Sequence, residues 1–199
     1  MRRPGGTDRP GRAPGSLAVD FANTLGCPAC RAGDAFASPL SCRRWLGRQG
    51  VRPGSSLGVD ARALARLRRF RRQVRELLGA GPSSPPPPAS VRAIRRWAFE
   101  GSARPTLSWE RGRWRVRPEG PVLPEAALFA RIASDLVAVL TRPAARRVRR
   151  CQGPGCAHFL LARTRTQIWC SPTGCGNRAR VARHYRKARQ LRVPGPSAP

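Results

Sequence analysis

The sequence predicts a mainly α-helical protein with one small antiparallel β-hairpin, followed by a small four-cysteine module that leads into a basic helix. Three observations support this fold class. Apolar residues recur at three- and four-residue spacing in several segments, one segment alternates like a pair of strands, and four C-terminal cysteines form two identically spaced pairs. At 199 residues, the chain has room for one ordinary domain and a small module.

The first helix is predicted in LAVDFANTL, residues 17 to 25. Three apolar residues lie four positions apart and share one face: Leu17, Phe21 and Leu25. Asp20 and Asn23 lie off this face. Together with Trp45 they are the residues that we expect to line a small-effector pocket, should this part of the chain bind one.

Two more helices have clear start signals. Ser38 before Pro39 is typical of a helix start, because the hydroxyl caps the first turn and the proline lacks only an N–H that would be unpaired there. The inward residues of this helix are predicted to be Leu40, Trp45 and Leu46. Asp60 and Gly79 then bracket the strongest helical pattern. Its inward residues are Leu64, Leu67, Phe70, Val74, Leu77 and Leu78.

The opposite face of that third helix is rich in arginine. Its members are Arg62, Arg66, Arg68, Arg69, Arg71, Arg72 and Arg75. We interpret this row as a solvated face, because charged runs on helices usually are, with a second nucleic-acid contact as the alternative.

A proline-rich connector at residues 82–88 precedes a helix at about residues 89–99, and a hairpin follows. The inward residues of this helix are predicted to be Val91, Ile94, Trp97 and Ala98. In TLSWERGRWRVR, a turn at Arg111 and Gly112 would put two cross-strand pairs on one side. These pairs are Trp109 with Trp114 and Leu107 with Val116. We expect the two tryptophans to lie in the core, with base stacking as the alternative.

Pro124 opens another helix, which Pro143 should end. Its inward residues are predicted to be Leu128, Phe129, Ile132, Leu136, Val139 and Leu140.

The charge of the chain favours an anionic partner. The net charge is +29, from 39 basic and 10 acidic residues. No acidic residue follows Asp135, whereas fourteen basic residues lie between Arg142 and Arg192. No apolar run approaches the roughly 20 residues of a membrane span, and the N-terminus lacks a signal-peptide core, so we expect a cytoplasmic, nucleoid-associated protein.

The C-terminal cysteines have the spacing of a metal site. Two C-x4-C pairs, each spanning a turn rich in glycine and proline, are separated by thirteen residues; the four are Cys151, Cys156, Cys170 and Cys175. Two such pairs suit a tetrahedral zinc ion, whereas iron–sulfur clusters usually have other spacings and redox disulfides are favoured less. Four protein ligands leave no open position, so one structural zinc is predicted, with a small core of Phe159, Leu160, Leu161 and Trp169.

A basic helix follows the last cysteine without a break. We expect Val181, Tyr185, Ala188 and Leu191 to pack against the zinc site. The predicted nucleic-acid contacts are Asn177, Arg178, Arg180, Arg183, Arg186, Lys187 and Arg189. His184 is interpreted as a surface residue of this helix rather than a zinc ligand.

The stretch WCSPTGCGNRARVARHYRKAR resembles the CGNR-type zinc-finger family of bacterial proteins, and LAVDFANTL with RRWLGRQG resembles the opening of their ABATE domain. The resemblance implies a stress-induced transcription regulator with zinc on the four matching cysteines and a DNA-contacting helix after them. The span FLLARTRTQIW departs from the family pattern, although Arg163 and Arg165 still supply charge there.

The predicted organisation is a disordered tail at 1–16, an ABATE-like body at 17–145, the zinc finger at 146–192 and a second tail at 193–199. Binding of RNA or the ribosome through the same cations is the alternative function. An enzyme is not expected, because no acid–base set assembles in the sequence. Cys27, Cys30 and Cys42 are interpreted as incidental thiols rather than as a second metal or redox site.

Overall fold

The computed structural model describes residues 16–27, 29, 33–51, 58–80, 84–100, 104–119, 124–141 and 147–190. Within these ranges the fold class is as predicted: mainly helical, with a small hairpin and a C-terminal cysteine module that runs into a helix. The helices are α1 (Leu17–Ala22), α2 (Pro39–Arg48), α3 (Ala61–Leu78), α4 (Pro88–Glu100), α5 (Pro124–Thr141) and α6 (Asn177–Gln190). The strands are β1 (Arg104–Glu110), β2 (Arg113–Glu119), β3 (Val148–Arg150) and β4 (Phe159–Leu161).

The predicted start signals of α2 and α3 are confirmed. The Ser38 hydroxyl accepts a hydrogen bond from the backbone N–H of Ser41, and the Asp60 carboxylate accepts one from Ala63 N–H. A serine or aspartate at this position pairs an N–H that the first helical turn would otherwise leave without a partner. Gly79 follows directly after α3, where the stop was predicted.

Helices α1, α3, α4 and α5 pack around one aromatic-rich core. The rings of Phe21, Phe70 and Phe129 form a continuous chain. The centroid of the Phe70 ring lies 5.5 Å from that of Phe21 and 4.6 Å from that of Phe129. All six predicted inward residues of α3 are buried. The last acidic residue of the chain, Asp135 in α5, accepts a 2.9 Å hydrogen bond from Ala18 N–H and so fixes the start of α1 to α5.

Three apolar residues that were predicted to face inward are instead exposed. Leu25 is 39% exposed because α1 ends at Ala22 and a single 3-10 turn turns the chain away from the helical face. Leu40, in the first turn of α2, is 59% exposed, and Cys42 is buried in the same helix. Val91 is 44% exposed, whereas Ile94, three residues later, is buried.

The arginine face of α3 is only partly a solvated face. Arg71 is 4% exposed and makes two hydrogen bonds of 2.6 and 2.8 Å to the Asp34 carboxylate. Arg75 donates 2.8 Å hydrogen bonds to the backbone carbonyls of Ala22 and Ala157. Arg68 bonds the Phe36 carbonyl. Intramolecular partners therefore hold Arg68, Arg71 and Arg75, while Arg62, Arg69 and Arg72 are exposed.

The hairpin forms in the predicted register, but its apolar side is not in the core. Trp109 pairs with Trp114 and Leu107 with Val116, across a turn in which Arg111 and Gly112 have φ values of 50° and 75°. Left-handed values at both turn residues match the twist of the strands, and glycine adopts them without strain. All four apolar side chains are at least 60% exposed, so the expectation that the tryptophans are core residues is wrong.

A second, shorter hairpin lies within the cysteine module. Strands β3 and β4 pair antiparallel, with Val148 opposite Leu161 and Arg150 opposite Phe159. Residues 1–15 and 193–199 of the predicted tails, the segment at 81–83 and Pro143 lie outside the described residues. Ser16, which was predicted to belong to the disordered tail, is instead buried and caps α1, where its hydroxyl accepts a 3.2 Å hydrogen bond from Val19 N–H. None of the described helices combines the length and the hydrophobicity that crossing a membrane requires.

Candidate metal centre and basic helix

Two tight turns position the four cysteines. After β3, the backbone N–H of Cys151 bonds the His158 carbonyl at 2.9 Å, and the N–H of Cys156 bonds the Gly153 carbonyl at 2.9 Å. The second pair spans a single π-helical turn, Pro172–Gly176, which the Ser171 hydroxyl caps by accepting from Gly174 N–H at 3.0 Å. Each turn thus brings two sulfur atoms to the same side of the backbone.

The four sulfur atoms form one cluster. They all lie within 4.8 Å of one another, with 3.8 Å between the Sγ atoms of Cys156 and Cys170 and 3.6 Å between those of Cys170 and Cys175. A tetrahedral ion with metal–sulfur bonds of about 2.3 Å requires sulfur atoms about 3.8 Å apart, so the donor set fits a closed four-thiolate site. The structure thus brings together the four cysteines that were predicted to form one site.

Gly153 is the residue that allows the two halves to meet. A Cβ at this position would lie 2.9 Å from both the Cβ and the Sγ of Cys175. Real Cβ atoms do not approach other atoms so closely, so any side chain at residue 153 pushes the two cysteine pairs apart. The sequence marks this residue only as one member of a turn.

N–H donors surround the sulfur atoms. Burial raises the pKa of Cys151, but backbone N–H groups of Cys170 and Gly153, at 3.3 and 3.4 Å from its Sγ, outweigh burial and hold that pKa below its ordinary value. Burial, with the other sulfur atoms, raises the pKa of Cys156 and of Cys170. Four crowded thiols with N–H donors around them are the arrangement that a cation completes, because only a cation lets all four ionise together.

Arg178 points back to the cysteine cluster. Its guanidinium donates a 3.1 Å hydrogen bond to the Sγ of Cys175, and its side chain is half-buried. Arg178 was predicted to contact nucleic acid; in the structure its guanidinium lies against the cysteine cluster.

The other predicted contact residues lie on the surface of α6. Arg180 is exposed and donates a 3.1 Å hydrogen bond to the Pro172 carbonyl, which ties the helix to the turn before it. The exposed remainder comprises Asn177, Arg183, Arg186, Lys187 and Arg189. These groups extend along the helix from the cysteine cluster outward.

The apolar side chains of α6 were predicted to pack against the cysteine site, but two of them are exposed. Val181 is 45% exposed and Tyr185 is 70% exposed, and the helix packs mainly against the π-turn that precedes it. Ala188 is partly buried, and Leu191 lies outside the described residues. The helix therefore projects from the module with both its cationic and its apolar side chains accessible.

The module is joined to the helical body through Phe159. This ring was predicted to belong to the small core of the module, but it is 1% exposed and lies in the main core. The Asn23 side chain holds the same residue at both backbone groups: its amide donates to the Phe159 carbonyl at 2.8 Å, and its carbonyl accepts from Phe159 N–H at 2.7 Å. The guanidinium groups of Arg75 and Arg150 lie 5.0 and 5.1 Å from the ring centroid.

Leu160 packs with the cysteines as predicted, with Trp169 partly buried beside it. Leu161 is partly buried. Arg163 and Arg165 are exposed on the loop between the cysteine pairs.

The residues proposed for a small-effector pocket are used in packing. Trp45 is 4% exposed and contacts the rings of Phe21 and Phe36, and both ends of the Asn23 amide are bonded to Phe159. Asp20 is half-buried in α1 and interacts with another group of the protein. Trp45 and Asn23 thus stabilise the body and its junction with the cysteine module.

Among the described residues, the other cysteines and the two histidines are not members of the sulfur cluster. Cys27 and Cys42 are both fully buried, and burial raises the pKa of Cys42 to about 11. Cys30 lies outside the described residues. Burial, with a contribution from nearby Arg75, lowers the pKa of His158 and so favours the neutral imidazole. His184 is exposed on α6, where it was expected.

Two family models match the chain. The ABATE model, described as "Putative stress-induced transcription regulator", covers residues 15–143. The CGNR zinc finger model covers residues 147–188, which include all four clustered cysteines. The chain matches no curated protein.

Proposed function

Because the chain belongs to the ABATE family and carries a CGNR zinc finger, we propose that it is a zinc-dependent transcription regulator that binds duplex DNA through α6. The body made by α1 to α5 is the part that senses a ligand or a protein partner. The place of action is the nucleoid of the cytoplasm.

The exposure of α6 is the observation that carries this proposal. The helix has 14 residues, contains no acidic residue, and packs on little besides the turn before it. An isolated helix of this length is marginal in water, and like charges along it destabilise it further. A polyanion relieves that repulsion, and a helix that is accessible on several faces fits a DNA groove.

Zinc is the metal that the donor set favours. Four sulfur ligands select zinc among the common closed tetrahedral sites, and the bound ion provides folding energy to a module with few buried apolar residues. A closed site has no position for a water molecule, so we propose a binding role for this protein rather than a catalytic one.

Exposed cations on α6 supply the affinity. Neutralising about five phosphates gives a slope of about −4 to −5 in log affinity against log salt. The five groups are Arg180, Arg183, Arg186, Lys187 and Arg189. Asn177, at the start of the helix, is exposed and is the residue best suited to contact a base edge.

The test is DNA binding by zinc-loaded protein as a function of salt concentration. Replacing Arg183 and Arg186 by alanine is expected to reduce the salt slope by about 2, because two phosphate contacts are lost. The matched control replaces Arg69 and Arg72, two exposed arginines of α3, and removes the same charge. Equal losses in both variants would mean that net charge, and not α6, binds DNA.

The role of zinc and the choice of nucleic acid are tested with the same protein. Selection from random duplex DNA by wild type is compared with selection by a Cys170→Ser, Cys175→Ser variant. Equal recovery by both proteins would refute a role for the zinc site in recognition. Structured RNA that displaces duplex DNA at equal salt would favour RNA binding instead.

A further inference from the structure

One face of the first hairpin is apolar and open. We call its four side chains the hairpin patch: Leu107, Trp109, Trp114 and Val116, which are 71%, 60%, 67% and 67% exposed. The two indole rings touch edge to face, with centroids 5.1 Å apart. Four adjacent apolar side chains so exposed in one place are unusual on a monomeric protein, where large exposed apolar residues are normally scattered.

No described helix covers this hairpin. Among the described residues, strands β1 and β2 pack mainly with each other, whereas the helices pack mainly among themselves. A two-stranded hairpin is marginally stable in water until a third strand, a second sheet or a helix covers its apolar face. The hairpin therefore has the composition of a half-buried element, and no element in the described part of the chain buries its apolar face.

The charges of the hairpin lie on its other face. The Arg117 guanidinium donates a 2.8 Å hydrogen bond to Glu110, and Ser108 donates to the same carboxylate at 2.9 Å. By the alternation of a strand, Arg113 and Arg115 share that face. Sites that stack nucleic-acid bases combine aromatic rings with cations on one surface. This hairpin has its aromatic rings on one face and its cations on the other, and that arrangement favours a protein partner.

We propose that the hairpin patch is a dimer interface that binds the same patch of a second copy of this chain. With about 250 Å² for a tryptophan side chain, the patch exposes roughly 500 Å² in each copy. Two copies bury about 1,000 Å² in total, which is the lower limit for a specific interface. Two hairpins packed face to face also supply the second layer that each one lacks.

A second copy fits this surface better than the chain's own ends do. In residues 1–15 and 191–199 the large apolar side chains are Met1, Leu191 and Val193, too few and too widely spaced to cover two indole rings. None of the four side chains of the hairpin patch is charged, so contact between two patches places no charged side chain of the patch in the interface. The net charge of +29 opposes the approach of the two chains. Salt screens that repulsion, so the dimer strengthens as salt concentration rises.

The test is sedimentation equilibrium of the zinc-loaded full chain without DNA, at low and high salt. We expect a monomer–dimer equilibrium with a dissociation constant on the order of 1 to 100 µM, since the buried area is small. Tryptophan emission should shift to the blue and become less accessible to acrylamide over the same concentration range. Both changes should occur at lower protein concentration when the salt concentration is raised.

Two variants keep the test specific. Trp109→Thr with Trp114→Thr, and separately Leu107→Thr with Val116→Thr, keep β-propensity and remove apolar area, so both are expected to be monomeric with unchanged helical circular dichroism. The control, Val91→Ala with Val137→Ala, removes two other side chains that are each 44% exposed and should still dimerise. A wild type that stays monomeric with exposed tryptophans, or patch variants that still dimerise, would overturn the proposal.

Two further outcomes would also count against this dimer interface. Quenching of the tryptophans by single-stranded nucleic acid, at concentrations where the protein is monomeric, would overturn the proposal. Dimerisation that weakens with salt would point to a charged interface elsewhere and count against the patch. Because every measurement is made without duplex DNA, the result is independent of the proposed function.

Discussion

The junction between the helical body and the zinc finger depends on one amide side chain. Asn23 accepts from the backbone N–H of Phe159 and donates to its carbonyl, at 2.7 and 2.8 Å, and the Phe159 ring is 1% exposed. Asn23→Ala removes both partners at once. Two neutral hydrogen bonds are worth about 1 kcal/mol each, and two part-buried backbone groups without partners add to that loss. The free energy of unfolding should therefore fall by about 2 to 4 kcal/mol.

The measurement is equilibrium unfolding in urea of the zinc-loaded chain, followed by circular dichroism. Because Phe159 is shared by the finger and the main core, the wild type should unfold in a single transition, and zinc should stabilise the helical body as well as the finger. In Asn23→Ala the finger should unfold at lower urea than the body. Zinc should then raise the stability of the body much less.

The control is Asn177→Ala, which truncates the same residue type at an exposed position in the finger. It should change stability by less than about 0.5 kcal/mol. The reasoning would be refuted by an Asn23→Ala protein within that margin of wild type, or by equal losses in the two variants. Either result would mean that other contacts, such as Phe159 packing and the hydrogen bond from Arg75 to the Ala157 carbonyl, hold the finger to the body.

Three further predictions concern the body and the metal site. Burial raises the pKa of Asp34, but hydrogen bonds from Arg71 and Phe36 N–H outweigh it and lower that pKa below its usual 3.8. The stability that ionised Asp34 provides is thus complete above about pH 4 and lost as the pH falls through the lowered pKa, so the difference in unfolding free energy between wild type and Asp34→Asn should shrink between pH 5 and pH 2 in urea titrations. Gly153→Ala, whose new Cβ would lie 2.9 Å from Cys175 Sγ, should weaken zinc binding at least about tenfold in chelator competition. Gly47→Ala, which meets open space, should not weaken it. In a Cys30→Ser background, buried Cys42, with its pKa of about 11, should react with thiol reagents at pH 8 on the order of 100-fold more slowly than a free thiol; labelling of the native protein at the unfolded rate would contradict this.

Local rules were enough for much of the fold. The caps at Ser38 and Asp60, the inward face of α3 and the hairpin register all depend on residues within a few positions of one another, and all are confirmed. The approach of the two sulfur atoms within each C-x4-C pair is also local, because one turn positions both. Leu25 and Leu40 were placed wrongly because a helical period says which residues share a face, but not where the helix ends or which part of it another element covers.

Three further contacts could not be predicted from the sequence pattern. The pairing of Arg71 with Asp34 turns one cation of a row of seven inward, and nothing in the spacing of that row distinguishes it. Asn23 meets Phe159 across 136 residues, so neither residue carries a sign of the other. Arg178 turns back to Cys175 although the residues around it are basic and exposed.

The hairpin shows the same division most clearly. Alternation in TLSWERGRWRVR determined that Leu107, Trp109, Trp114 and Val116 share one face, because side chains of a strand alternate with period two. Whether water or protein covers that face depends on which elements the rest of the chain packs against it. The sequence by itself determined the elements, their caps and the candidate metal-binding cysteines through short-range patterns; the tertiary structure decided burial, because burial is set by partners that are distant along the chain.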